Sequence, residues 1–223
     1  MLTEDSAAST SRFERFPWLT VWCSPRHTVR RCSGSASQST VIFLGAIGGV
    51  GQAMARGASN DLGLRVPAWA ILGGSLIIGS IVGVIQLYGI TTLLYWTGRL
   101  TGANASFRKV SIVVGLANAP WAASLILWLL ATLFVGRHLF VRDPFSVEYA
   151  TAWRSLVAEI SAVLVVLCSL LSWVWSFTIL VFGLAEVNGF SALRALLDIF
   201  IAACALGSLL LLLIPTVMHF IHR

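Results

Sequence analysis

Five long apolar segments, joined by short loops, occupy most of the chain after residue 38. A bilayer core about 30 Å thick requires about 20 mainly apolar residues of helix. Backbone groups inside lipid must form their hydrogen bonds within the structure, which a helix does by itself. Apolar residues make up 57% of the sequence and charged residues 11%. The pattern therefore predicts an all-α, polytopic membrane protein: a bundle of five transmembrane helices over 39–223, preceded by an N-terminal segment over 1–38.

The predicted spans are 39–55, 68–95, 110–135, 156–184 and 192–219. The first is the weakest, because it is short, contains Gln52 and includes four glycines. It is expected to be either a buried span or a re-entrant segment. In the second span Ser75, Gly79 and Gly83 recur every four residues, which places small residues on one face where another helix can approach closely. We expect this face to pack within the monomer; a dimer face is the alternative.

A proline interrupts the third predicted span. Pro120 removes one backbone donor from the helix and is expected to kink it. Asn118 lies two residues earlier. Its side chain could therefore bond the carbonyl groups that the kink leaves free.

The N-terminal segment changes character along its length. Residues 1–16 are polar and serine-rich, and we expect them to be disordered. The stretch 17–31 combines indole rings with guanidinium groups, which suit lipid head groups. These residues predict an interfacial anchor: Trp18, Trp22, Arg26, Arg30 and Arg31. The alternative is a tail that packs on the helix bundle.

The charge distribution predicts a topology. If the N-terminus is cytoplasmic, nine cationic residues lie on its side: Arg12, Arg15, Arg26, Arg30, Arg31, Arg99, Arg108, Lys109 and Arg194. Six lie on the other side: Arg56, Arg65, Arg137, Arg142, Arg154 and Arg223. The positive-inside rule then favours a cytoplasmic N-terminus and an opposite C-terminus. The net charge of +6 is thus explained by orientation and head-group contact, and no nucleic-acid partner is expected.

The loop between the last two spans is flanked by charged residues. Arg194 and Asp198 are four residues apart on one helix, and this spacing places them on one face where they can pair. Glu186, at the end of the preceding span, could also meet Arg194. Ionisable residues inside spans are functional candidates by default. We expect this trio to be a structural clamp of the hairpin, with an ion or head-group site as the alternative.

Three stretches resemble the Yip family, the Ypt/Rab-interacting membrane proteins, and in particular its prokaryotic branch: PWLTVWCSPRHTVRR, LTGANASFRKVSIVVGLANAP and VWSFTILVFGLAEVNGFSALRALL. The resemblance implies five spans, a cytoplasmic N-terminus and no known reaction. Eukaryotic members look like trafficking factors that bind small GTPases and one another, a role that does not transfer to a prokaryotic chain. We expect a multi-pass protein of a bacterial or archaeal cell membrane, or of the ER or Golgi if the chain is eukaryotic.

The sequence offers little support for catalysis. Ser191 lacks the flanking glycine of a nucleophile elbow and is better explained as a helix cap. No C-x-x-C pair suggests a metal site, and no cofactor is expected. The favoured hypothesis is a non-enzymatic protein that scaffolds partners or organises lipid and membrane traffic; its partners would be the bilayer and other membrane proteins or a second copy. A small transporter or channel with a site near the last hairpin is the alternative.

Overall fold

The computed structural model describes residues 25–35, 37–141 and 152–221. The described elements are α1 (Pro25–Ser35), α2 (Gln38–Ser59), the single turn α3 (Leu62–Arg65), α4 (Ala68–Leu100), α5 (Phe107–Ala117), α6 (Ala119–Val135), a 3₁₀ turn (Gly136–Phe140), α7 (Ala152–Asn188) and α8 (Ala192–Ile221). Five helical stretches are long and apolar enough to cross a membrane: α2, α4, α5 with α6, α7 and α8. The all-α prediction with five spans is confirmed. The expected disorder over 1–16 lies outside the described residues.

The first span, α2, packs between the second and third spans. Its 22 residues extend about 33 Å along the helix axis, enough to cross a bilayer core. The Ser37 side chain accepts a hydrogen bond from the Ser39 N–H and starts the helix. The helix packs against α4, α5 and α6. It is therefore long enough to cross the bilayer completely, as expected of a buried span and not of a re-entrant segment.

Glycines allow α2 and α4 to approach until their backbones touch. A methyl group on Gly83 would lie 2.7 Å from the Gly49 Cα atom, and one on Gly79 would lie 3.0 Å from the Val50 Cα atom. The small-residue face of α4 thus packs within the monomer. The chain also forms a π-helical turn over Ser75–Gly79 at this contact, a feature that the sequence pattern did not predict.

Two loops meet at one end of the bundle. After α4, Gly102 adopts a positive φ of 86°, and after α7, Gly189 adopts a positive φ of 67°. The Ser191 hydroxyl then accepts a hydrogen bond from the Arg194 N–H (3.3 Å), which caps α8. The loops are joined by a hydrogen bond from the Ala105 N–H to the Asn188 side-chain oxygen (3.3 Å). We call this the basic end: α1, the 101–106 loop with the adjoining turns of α4 and α5, and the 189–191 loop with the first turn of α8.

Candidate functional site

The described part of the N-terminal segment packs on the bundle at the basic end. Val29 and Thr28 of α1 are buried, and Val29 lies beside Gly183 of α7. The Arg26 guanidinium lies 5.0 Å from the centre of the Phe182 ring. The described residues of α1 thus pack on the helix bundle, which is the alternative to interfacial anchoring. Trp18 and Trp22 of the predicted anchor lie outside the described residues.

Glu186 pairs with α1 and not with the last hairpin. The Arg30 Nε atom lies 2.7 Å from the Glu186 Oε1 atom, and the Arg30 side chain is mostly exposed. Arg31, the remaining charge of the predicted anchor, is exposed at the same end. The predicted pair of Glu186 with Arg194 is therefore wrong, because the docking of a distant segment satisfies the carboxylate first.

Arg194 holds the neighbouring loop. Its guanidinium donates a hydrogen bond to the Thr101 carbonyl oxygen and stacks 4.1 Å from the centre of the Phe190 ring. The side chain is exposed at the basic end, whereas Asp198 lies one turn deeper and is buried. The predicted Arg194–Asp198 pair is also wrong: spacing places the two on one face, but their side chains point to different neighbours.

Asp198 is an unusual residue for a transmembrane helix. It is only 1% exposed, and neither of its carboxyl oxygens has a hydrogen-bond partner among the described residues. A methyl group on Gly98 of α4 would lie 3.3 Å from the Asp198 Oδ2 atom. Thr97 lies close by, but its hydroxyl donates to the Leu93 carbonyl oxygen (3.0 Å). A buried carboxyl group without a partner costs stability, which makes Asp198 a functional candidate.

The environment of the Cys32 thiol depends on the docking of α1. It is buried among the core residues of the bundle. Burial raises the pKa of the Cys32 thiol, and the nearby positive charge of Arg31 lowers this pKa to a lesser extent. Because the thiolate is the reactive form, we expect the docked Cys32 thiol to react more slowly than an exposed one.

Positive charge is concentrated at the basic end. Among the described residues, seven exposed cationic ones lie there: Arg26, Arg30, Arg31, Arg99, Arg108, Lys109 and Arg194. Three exposed cationic residues lie at the opposite end of the described structure: Arg56, Arg65 and Arg137. The basic end thus holds seven of the nine cationic residues that the topology prediction assigns to the cytoplasmic side, while Arg12 and Arg15 lie outside the described residues.

An apolar groove of about 900 Å³ starts at the basic end and runs between α7 and α8. Arg194 and Ser191 lie at its mouth, and Leu197 and Phe200 of α8 line its length. Phe177 of α7 also lines it. The groove therefore combines an apolar wall with a cation near the membrane surface, the two properties of a phospholipid site.

The sequence matches the model of one protein family, the Yip1 domain, over residues 19–214. The chain belongs to the Yip1 domain family. It is thus an integral, multi-pass membrane protein. The match begins inside the segment that was predicted to precede the membrane domain. No curated protein and no solved structure gives a significant match to the chain.

The third span of this Yip1-domain protein is interrupted at Asn118, between α5 and α6. The Asn118 N–H bonds the Gly115 carbonyl oxygen instead of that of Val114 (3.0 Å). Its side-chain nitrogen donates to the Val114 oxygen in its place (2.9 Å). The Pro120 carbonyl oxygen accepts from the Ser172 hydroxyl of α7 (3.2 Å). Side chains thus supply hydrogen bonds where the helix is broken.

A second cavity, of about 240 Å³, lies beside this interruption. Its polar lining consists of Gln52, Gln86, Asn118 and Ser176. The Gln52 side-chain nitrogen donates to the Asn118 side-chain oxygen (3.2 Å), and the Ser176 hydroxyl is buried without a partner among the described residues. Sequence reasoning singled out Asn118 but not Ser176, since a serine in a helix usually bonds its own backbone.

Proposed function

We propose that this Yip1-domain protein is a non-enzymatic membrane scaffold that gathers anionic lipid at its basic end. The observation that carries the proposal is the cluster of seven exposed cationic residues on segments that are tied to one another. Each cation near an anionic membrane surface contributes about 1 kcal/mol of attraction. Because the Arg30–Glu186 pair and the Arg194–Thr101 bond fix these segments, the charges act as one surface.

Arg194 offers a defined binding position for the head group of one lipid on this surface. One nitrogen of its guanidinium bonds Thr101, and a guanidinium carries five N–H donors in all. A lipid phosphate could accept from the others, while an acyl chain lies in the groove along Leu197 and Phe200. We therefore propose Arg194 as a head-group ligand as well as the residue that holds the 101–106 loop.

The test measures phosphatidylglycerol bound from nanodiscs that also contain phosphatidylcholine, by native mass spectrometry. Replacing Arg99, Arg108 and Lys109 together by Gln should lower the preference for phosphatidylglycerol at least about tenfold. The matched control replaces Arg56, Arg65 and Arg137 by Gln at the opposite end and should have a smaller effect. Equal effects of the two triple variants would contradict the proposal, and added salt should weaken the wild-type preference.

We propose that the basic end faces the cytoplasm, with five crossings between the N- and C-termini. Reporters placed in the Asn104 loop and at the C-terminus should then lie on opposite sides of the membrane. Reporters on the same side would refute the odd number of crossings between them, and an Asn104 reporter outside the cytoplasm would refute the orientation. The kind of membrane, bacterial, archaeal or ER/Golgi, follows from the source of the chain.

Scaffolding of other membrane proteins or of a second copy is the further part of this proposal. Its support is the outer face of α8, where Phe200 and Leu211 are exposed while α8 contacts only α7 and α4 extensively within the described structure. Cys204 is exposed on this helix. Oxidative cross-linking in nanodiscs should give Cys204-linked dimers if copies associate here, and Cys204→Ser should abolish them.

A small transporter or channel is the second candidate, because transporters use broken helices around polar sites. The interruption at Asn118 and the adjoining cavity favour it. This feature lies away from the last hairpin, where the sequence placed the transport site. Uptake of labelled glycerol into proteoliposomes above that of protein-free liposomes, and its loss in Gln86→Leu, would support this candidate.

A further inference from the structure

The cavity beside Asn118 lies deep inside the membrane. Gln86 is 14 residues before the end of α4, Asn118 is 11 residues after the start of α5, and Ser176 is 12 residues before the end of α7. At 1.5 Å per residue these positions are about 17–21 Å inside the basic end. Four spans contribute to its wall, so the site is built by the tertiary fold rather than by one helix.

The hydrogen-bonding groups of this cavity carry no net charge. The side chains of Gln52, Gln86 and Asn118 are amides, and that of Ser176 is a hydroxyl. A charged ligand at this depth would lack a counter-ion and would be strongly disfavoured. An uncharged ligand with a donor or acceptor could instead bond Ser176, whose buried hydroxyl has no partner among the described residues.

The cavity is open toward lipid along α7. Trp173 and Phe177 line it, and both are also exposed on the outer surface, by 66% and 41% respectively. Trp121 adds a second indole ring to the lining. A ligand can therefore enter sideways from the bilayer and place its head group between aromatic rings, without passing through an aqueous channel.

We propose that this cavity binds an apolar, membrane-dissolved molecule whose small head group is uncharged and forms hydrogen bonds. An isoprenoid alcohol and a quinone both have this chemistry. A volume of about 240 Å³ is larger than the roughly 150 Å³ of a protein cavity that binds benzene, and is enough for such a head group. The apolar part of the ligand would remain in the bilayer beside Trp173 and Phe177.

The experiment follows the unfolding temperature of the protein in phosphatidylcholine nanodiscs as a ligand is added. Farnesol tests the alcohol and decylubiquinone tests the quinone. A ligand that binds only the folded protein raises this temperature in a saturable manner. Squalene, which has no polar head group, and palmitate, which is charged, are the comparison compounds and should give no saturable rise.

Two variants test whether the rise in unfolding temperature depends on the cavity. Gln86→Leu and Ser176→Ala each remove a hydrogen-bonding group and should weaken binding about fivefold. Ser169→Ala is the matched control on the same helix, because the Ser169 hydroxyl bonds the Val165 carbonyl oxygen (2.8 Å) and does not line the cavity. Both cavity variants should fold, since Gln86→Leu and Ser176→Ala replace polar groups within a membrane span by apolar ones.

A saturable rise with farnesol, decylubiquinone or both, reduced in the two cavity variants only, supports the proposal and identifies the head group. No saturable rise with either compound would overturn it and leave a cavity that holds water only. An equal response to squalene, or an equal loss in Ser169→Ala, would also overturn it. The preference for phosphatidylglycerol at the basic end is a separate measurement and should not change in the cavity variants.

Discussion

The first and last spans, α2 and α8, differ in what surrounds them in the membrane. Among the five spans α2 has the lowest mean hydropathy and is the most buried, with half of its apolar window inside the protein, against 17% for α8. The low hydropathy of α2 therefore goes with contact to other helices, and the higher hydropathy of α8 goes with contact to lipid. A span that faces other helices can be less apolar than a span that faces acyl chains.

The difference has a physical cause. Lipid tails are as apolar as leucine, so no hydrophobic force drives helices together, and association depends on close packing. In α2 the glycines Gly45, Gly48, Gly49 and Gly51 bring neighbouring helices into contact. In α8 the glycine Gly207 has open space around it, while large side chains such as Phe200 and Leu211 are exposed.

The largest expected effect tests this contrast directly. Gly49→Ala would place a methyl group against the Gly79 carbonyl oxygen and the Gly83 Cα atom, so α4 would have to move away from α2. We expect a loss of about 3 kcal/mol or more in the free energy of unfolding, at the upper end of overpacking effects. Thermal unfolding in detergent provides the measurement.

The matched control is Gly89→Ala on α4, the helix that Gly49 contacts, where nothing lies within 4 Å of the added methyl group. It should leave stability unchanged or raise it by up to about 1 kcal/mol, because alanine favours a helix more than glycine does. Similar losses in Gly49→Ala and Gly89→Ala would show that the loss at Gly49 does not depend on the close approach of α2 and α4, because helix propensity alone predicts a gain at both positions.

The contrast also explains what could be predicted from the sequence. Spans, loops and the interruption near Pro120 depend on local features: apolar length, Gly189 and Ser191 at a loop, a proline inside a helix. The partner of Glu186 depends on where α1 docks, and this is a long-range contact that no local spacing encodes. The Arg194–Asp198 pair was predicted from helical spacing alone, which ignores the depth at which each side chain finds its neighbours.

The second effect concerns the most buried charge of α8. Asp198→Leu removes a carboxyl group that has no hydrogen-bond partner among the described residues. We expect a gain of about 1–2 kcal/mol in the free energy of unfolding, because an unsatisfied buried polar group is replaced by an apolar one. Glu159→Gln on α7, where the side chain is exposed, should change stability little. A clear loss in Asp198→Leu would instead indicate that the carboxylate binds a ligand or an ion.

A third prediction tests whether Arg194 and Asp198 contribute independently to stability. Arg194→Ala removes the bond to Thr101 and the stacking on Phe190, and because the side chain is exposed we expect a loss of only about 1 kcal/mol. Combined with Asp198→Asn, the effects should add within about 0.5 kcal/mol. A coupling energy above about 1 kcal/mol would restore the clamp that the spacing suggested.

The smallest effect on stability is expected at the contact between α1 and α7. Glu186→Gln removes the carboxylate that pairs with Arg30, and since Arg30 is mostly exposed, the loss should be below about 1 kcal/mol. Its consequence is visible through Cys32, in a chain whose other cysteines are replaced by serine. Release of α1 would expose the thiol, let its raised pKa fall and increase the thiolate fraction at neutral pH.

Maleimide labelling of Cys32 at pH 7 should therefore be slow in the wild type, faster in Glu186→Gln and faster with rising pH in both. Arg31→Gln is the informative comparison, because it removes the nearby charge that lowers the Cys32 pKa but leaves the Arg30–Glu186 pair intact. It should slow labelling rather than speed it. If Glu186→Gln labels no faster than the wild type, burial of Val29 and not the ion pair holds α1, and the basic end owes its rigidity to apolar packing.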